Sequence, residues 1–122
     1  IKVNKLEMPL ESDSQMVATV FKSAGIIIGA PTYEYKMFPP VATAIDELGR
    51  KRITGKAAFR LGSYGWSGGA EKELKEIIER NRMGWDFVGS VEFEGSPRQE
   101  DFEKIEAGIL ELIDKMRNKI IE

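Results

Sequence analysis

Lys56 to Glu76 reads KAAFRLGSYGWSGGAEKELKE. Its first six residues form a short apolar run of the kind found in a strand covered on both faces. The next eight, GSYGWSGG, make a loop dense in glycine and aromatic residues. From Ala70 onward, Leu74, Ile77 and Ile78 recur at helical spacing. A buried strand, a short loop and an amphipathic helix in that order are the repeating unit of an α/β protein. Arg60 interrupts the apolar strand and needs a partner or an exit to solvent.

The same unit recurs on either side. Upstream, Ile26, Ile27 and Ile28 are an unbroken β-branched run that predicts a central strand. Pro39 and Pro40 suit a helix start, Val41, Ala44, Ile45 and Leu48 give that helix an apolar face, and Gly49 is its expected stop. The basic run Arg50, Lys51, Arg52 reads as a solvated connection near the helix end. Further upstream, Ser12, Asp13 and Ser14 are capping residues ahead of a stripe of Met16, Val17, Val20 and Phe21, with Gly25 as terminator. Before them, Ile1, Val3, Leu6 and Met8 are interrupted by polar residues, an imperfect alternation that predicts an edge strand.

Downstream, Glu71 with Lys75 and Glu76 with Arg80 are i,i+4 pairs on the wet side of the helix. After a turn at Gly84, Trp85 and Phe87 read as core, and Val91 and Phe93 alternate with Glu92 and Glu94 as a second edge strand. Ser96, Pro97 and Gln99 fit a capping box, followed by Phe102, Ile105, Ile109, Leu112, Ile113, Met116 and Ile120 at helical intervals. Strand and helix alternate four times. The expectation is an α/β fold with a parallel sheet, right-handed crossovers and helices on both faces, within one domain of residues 1–122.

Composition narrows the function. The formal net charge of −2 argues against a phosphate-backbone binder, and no apolar run is long enough to span a bilayer. The expected setting is the cytoplasm. With no cysteine and no histidine, these 122 residues offer no disulfide, thiol nucleophile, serine–histidine pair or histidine-ligated metal. Neither a catalytic residue nor a metal ligand is assigned, so demanding chemistry falls to an organic cofactor or another chain segment.

In open parallel sheets, ligands bind outside the carboxyl ends of the strands. Two loops occupy such positions: APTYEYKMFPP after the isoleucine run and GSYGWSGG after KAAFRL. Tyr33, Tyr35, Tyr64 and Trp66 offer flat faces to a planar heterocycle, and stacking adds about 0.5–1.5 kcal/mol per pair beyond area burial. Gly62, Gly65, Gly68 and Gly69 would let main-chain amides approach the ring edge.

The run from Gly25 to Glu76 resembles the flavodoxin-like domain of flavodiiron proteins, also called A-type flavoproteins. The most specific pieces are the G-A-P-T loop with its downstream F-P, and G-S-Y-G-W-S-G. The resemblance implies a doubly wound sheet of strand order 2-1-3-4-5 that binds flavin mononucleotide without a covalent bond. Carried over by position, Pro31, Thr32, Tyr33, Glu34, Tyr35 and Lys36 form one flavin-contacting loop, with Pro31 and Pro39 framing it. Ser63, Tyr64, Gly65, Trp66, Ser67 and Gly68 form the other. Where the family often has a neutral residue after the first aromatic, this chain has Glu34, Tyr35 and Lys36.

Such domains relay electrons, often from rubredoxin or a related reductase, to a non-haem diiron centre that reduces oxygen or nitric oxide in a separate domain. The resemblance also implies a first strand and a phosphate-holding loop that residues 1–122 do not show. The expectation is a part of a larger flavoprotein; otherwise another chain supplies those pieces, or the segment folds around a rearranged sheet. Flavin binding by the isolated segment is then expected to be weak. Rival readings are a small flavin-dependent quinone or nitro reductase, a phosphoacceptor receiver domain, or a flavin-free module whose role is association, with homo-oligomerisation open in each case.

Overall fold

The computed structural model describes residues 2–65 and 68–121, with side chains as far as Lys119. Ile1 and the side chain of Ile120, both part of the apolar patterns in the sequence, lie outside the described residues. The elements in chain order are α1 (Asp13–Phe21), β1 (Gly25–Gly29), β2 (Thr32–Tyr33), β3 (Lys36–Met37), α2 (Pro39–Arg50), β4 (Ala57–Tyr64), α3 (Ala70–Arg80), β5 (Asp86–Glu94) and α4 (Gln99–Ile121).

Strands β1, β4 and β5 form a parallel sheet in that spatial order, with Gly25 opposite Ala57, Gly29 opposite Leu61 and Tyr64 opposite Glu94. One register shift falls between Ala58 and Phe59, so that Val88 is the extra residue on β5. Because β4 is paired on both edges, Ala57, Ala58, Phe59 and Arg60 are each no more than 1% exposed. Alternation along β4 sends Ala58 to a core built with α1, α2 and α3, and Ala57 and Phe59 to a smaller core under α4. Helices thus cover both faces, and the architecture is a flavodoxin-like α/β fold.

Several elements match their sequence signals. Ser12 caps α1 by accepting from the Gln15 amide at 3.2 Å, and Pro39 starts α2, whose Ala44, Ile45 and Leu48 are buried. Lys56 donates to the Phe21 carbonyl at 3.1 Å and to that of Ser23, tying the end of α1 to the start of β4, and burial pushes its ammonium pKa down. Trp85 is buried, and its indole N–H donates to the Ile53 carbonyl at 2.9 Å.

Other expectations are corrected. Residues 2–7 form no strand; Val3 is 80% exposed, while Leu6 and Met8 pack against the larger core. An alternating segment becomes a strand only where a neighbour presents free backbone groups, and the first strand expected beside it is not among the described residues. For the same reason the isoleucine strand β1 lies at an edge of the described sheet rather than in its centre, and Ile27 is 44% exposed. Helix α1 ends at Phe21, four residues before Gly25, and Phe21 itself points to solvent.

Gly49 does not stop α2. It is buried inside the helix, where a Cβ would overlap the Asn81 side chain, so its smallness serves the contact with the end of α3. Glu71 and Lys75 do pair, at 3.6 Å, but Arg80 bridges to Asp46 of α2 at 3.0 Å instead of Glu76. The Asn81 amide and the Arg80 guanidinium together hold the Asp46 carboxyl below its ordinary pKa. At α4, Asp101 accepts from the Arg98 amide at 2.8 Å, so Arg98 and Asp101 make the cap expected of Ser96 and Gln99. Phe102 is 53% exposed, and the stripe seats Ile105, Ile109, Leu112 and Met116 against the sheet.

Gly108 lets α4 approach. A Cβ there would overlap the edge of the Phe59 ring, which is itself 1% exposed. Replacing Gly108 by alanine gains about 1 kcal/mol of helix propensity but overpacks the smaller core at about 1–3 kcal/mol. Urea unfolding is expected to show Gly108→Ala destabilised, whereas a helix held by propensity alone would become more stable.

Candidate functional site

Parallel pairing puts the carboxyl ends of β1 and β4 side by side, and the ladder continues one residue further, with the Ala30 amide donating to the Leu61 carbonyl at 3.1 Å. The chain leaving β1 then makes a tight hairpin of β2 and β3, closed at its base by the Phe38 amide on the Pro31 carbonyl at 3.0 Å. Its two turn residues, Glu34 and Tyr35, have φ of 48° and 66°. Both lie in the left-handed region that a type I′ turn requires and that Asn-Gly normally supplies. Each residue with a Cβ there costs about 1–2 kcal/mol.

Neighbours impose that conformation. Met37 is 1% exposed, and its amide donates to Glu73 Oε1 of α3 at 3.2 Å. Gly69 lies directly against the Tyr35 carbonyl, where any Cβ would collide with the oxygen. Gly62 lies in the same way against the Ala30 carbonyl. The two loops singled out in the sequence are therefore in contact with each other at the strand ends.

The expected site residues divide into groups. Pro31 to Lys36 form the hairpin, with Tyr33 and Tyr35 55% and 63% exposed. Thr32 Oγ1 is buried without a hydrogen-bond partner among the described residues. Ser63 and Tyr64 are the last residues of β4, half-buried, rather than loop residues, and the Tyr64 carbonyl accepts from the Gly95 amide at 2.9 Å. Trp66 and Ser67 lie outside the described residues.

The glycines act differently from the expectation. Gly62 and Gly69 permit close approach of chain to chain, and Gly68 lies against Glu92, whose Oε2 is 3.1 Å from where a Cβ would stand. Among the described residues nothing lies within 4 Å of such a Cβ on Gly65, so of the four its Cα is the one that faces open space. Two open depressions, of about 330 and 400 Å³, are walled mainly by α1 and α2 residues and include none of these positions. The site is a surface between two loops.

Sequence reasoning missed Glu73 and Glu92. In the sequence Glu73 carries no assigned role, and Glu92 is only a polar position of an edge strand. The signal for Glu92 was Arg60, whose Nη1 it binds at 2.7 Å.

No protein-family model matches the chain. An anaerobic nitric oxide reductase flavorubredoxin from Vibrio vulnificus is 34% identical over 70 residues, 57% of this chain and 14% of the relative. The Escherichia coli protein of the same name is 30% identical over 90 residues, 74% of this chain and 18% of the relative. The matches thus span less than a fifth of those relatives. Among solved structures, the rubredoxin:oxygen oxidoreductase of Desulfovibrio gigas superposes with a TM-score of 0.74 at 26% identity, covering 82% of this chain and 25% of that one. A flavodoxin from the Archaea superposes at 0.71 with 25% identity, covering 83% and 71%.

Gly69→Ala tests the contact between the loops. The obstructing atom is a backbone carbonyl, which cannot rotate away, so the substitution is expected to cost about 1–3 kcal/mol. Amide exchange of residues 34–37 should accelerate beyond that of α4; equal acceleration of both would show that Gly69 does not hold the hairpin.

Proposed function

The comparisons support a flavodoxin-like domain of the flavodiiron family over the part of the chain they cover. From that premise we propose that residues 1–122 form one flavin mononucleotide-binding domain that transfers electrons in the cytoplasm. Its donor is a rubredoxin or a related reductase, and its acceptor a diiron oxygen or nitric oxide reductase domain. The observation that carries the reading is the meeting of the Thr32–Lys36 hairpin with Gly69 at the carboxyl ends of β1 and β4.

The residues present fit such a cofactor. A buried hydroxyl without a partner costs about 1–3 kcal/mol, and a polar ring edge would relieve Thr32 Oγ1 of it. Tyr33 and Tyr35 give exposed aromatic side chains on the same hairpin, and among the described residues nothing lies within 4 Å of where a Cβ on Gly65 would stand. When bound, flavin mononucleotide supplies one- and two-electron transfer. The chain's part is to bind and orient. The hairpin and Gly65 would define the ring's edge, while the clamp from Glu73 and Gly69 fixes the hairpin before the ligand arrives, which lowers the ordering cost of binding. The 122 residues contain no histidine, so a histidine-ligated diiron centre belongs to another part of the assembly.

The visible absorption spectrum of the purified protein, recorded before and after addition of flavin mononucleotide, tests the proposal. A saturable perturbation of the flavin spectrum is expected, with the weak affinity that the isolated segment predicts, and a spectrum identical to that of free flavin at the highest protein concentration refutes it. Thr32→Val sharpens the test: the valine should leave stability unchanged or raise it by about 1 kcal/mol, while flavin affinity falls about three- to tenfold. Undiminished affinity in Thr32→Val would remove the hydroxyl from the site.

A further inference from the structure

We propose that Arg60 is a positioning residue of the flavin site, acting through Glu92 on the Gly68–Gly69 segment and through that segment on the Tyr35 turn; the proposal rests on the reading of this surface as a flavin site. Arg60 is the one buried charged residue among those described, 1% exposed in the middle of the central strand. Its Nη1 binds Glu92 Oε1 at 2.7 Å and reaches Ser90 Oγ at 3.4 Å, while Nε and Nη2 have no partner among the described residues. Removing a guanidinium from water and leaving two of its nitrogens, with three N–H donors, unpaired costs stability, so its presence is not accounted for by stability alone.

Its surroundings supply the account. The carboxylate that Arg60 holds presents its other oxygen to the Gly68 backbone, at 3.1 Å from the position of a Cβ. The next residue, Gly69, lies against the Tyr35 carbonyl. On the opposite side, Arg60 Nη2 is 2.8 Å from the position of a Cβ on Gly62, which itself lies against the Ala30 carbonyl where the chain leaves β1. The guanidinium therefore touches the exit of β4 directly and reaches the exit of β1 through Gly62, and its counter-ion touches the loop that meets the hairpin. Glu92 is bonded into β5 opposite Gly62, so the pair anchors both loops to the sheet.

A second consequence is electrostatic. The Arg60 side chain is 1% exposed and that of Glu92 is 29% exposed, so solvent screens the carboxylate more than the guanidinium. The pair is formally neutral, with its positive member the deeper and less screened of the two. A positive field favours the reduced, more negative state of a nearby cofactor.

The test uses the full chain with flavin mononucleotide as probe, comparing Arg60→Met, Arg60→Lys and Glu92→Gln. In Arg60→Met and Glu92→Gln, amide exchange at residues 34–36 and 68–70 is expected to rise about tenfold or more relative to α4. The flavin midpoint potential should move down in Arg60→Met and up in Glu92→Gln. Arg60→Lys keeps the charge but loses the fork, so its exchange should resemble that of Arg60→Met with a potential near the parent's. Exchange that changes only in step with α4, or potentials that move the same way in Arg60→Met and Glu92→Gln, would overturn the proposal. If Arg60→Met does not fold, Glu92→Gln, altered at a partly exposed edge position, decides by the same two readouts. If the parent takes up no flavin, the flavin reading fails by itself, and the exchange comparison alone upholds or overturns the positioning role.

Discussion

The rest of the structure depends on β4 being paired on both edges and covered on both faces. A strand in that position has no water to satisfy anything it carries, so its residues must be small, apolar or provided with partners from within the fold. Ala57, Ala58 and Phe59 meet the first two conditions; Arg60 can only meet the third. Parallel pairing of β4 with β1 also brings two loops to one end of the sheet without either loop having to choose its own position. What the loops then contribute is local detail on a placement already made by the sheet.

That division explains which features are legible in the sequence. Helices α2 and α3 and strands β4 and β5 are specified by periodicity and turn residues a few positions apart, and they form at those positions, although α2 runs past Gly49, β4 runs on to Tyr64 and β5 begins at Asp86. Residues 2–8 carry an equally regular signal and form no strand, because pairing is a property of a neighbour and not of the segment. Ile26 to Ile28 stand at an edge rather than in the centre for the same reason: a β-branched run records burial by helices, and not how many strands flank it.

The candidate site is legible as a location and less so as chemistry. Glycine and aromatic residues mark two strand ends that the structure brings together, but glycine spacing does not distinguish a backbone that faces open space from one pressed against its own chain. Gly62 and Gly69 are of the second kind, and among the described residues Gly65 alone of the four faces open space. Glu92 is hidden in the outward register of an edge strand, where a carboxylate needs no explanation until the guanidinium 32 positions earlier is seen to require one.

The hairpin turn shows how such a site obtains a fixed shape from an unsuitable sequence. Left to itself, Glu-Tyr would avoid two successive left-handed residues, and an Asn-Gly turn would adopt them at little cost. The fold overrides that preference with a hydrogen bond from α3 to Met37, burial of the Met37 side chain and the flat approach of Gly69 to the Tyr35 carbonyl. Two aromatic rings consequently stand exposed at the strand ends on a backbone held by its surroundings. An Asn-Gly turn would hold the same backbone more cheaply but would give up the ring of Tyr35, and an unclamped Glu-Tyr turn would keep the ring and lose its placement. Strain in the turn is thus the cost at which an aromatic side chain is kept exposed at the strand ends.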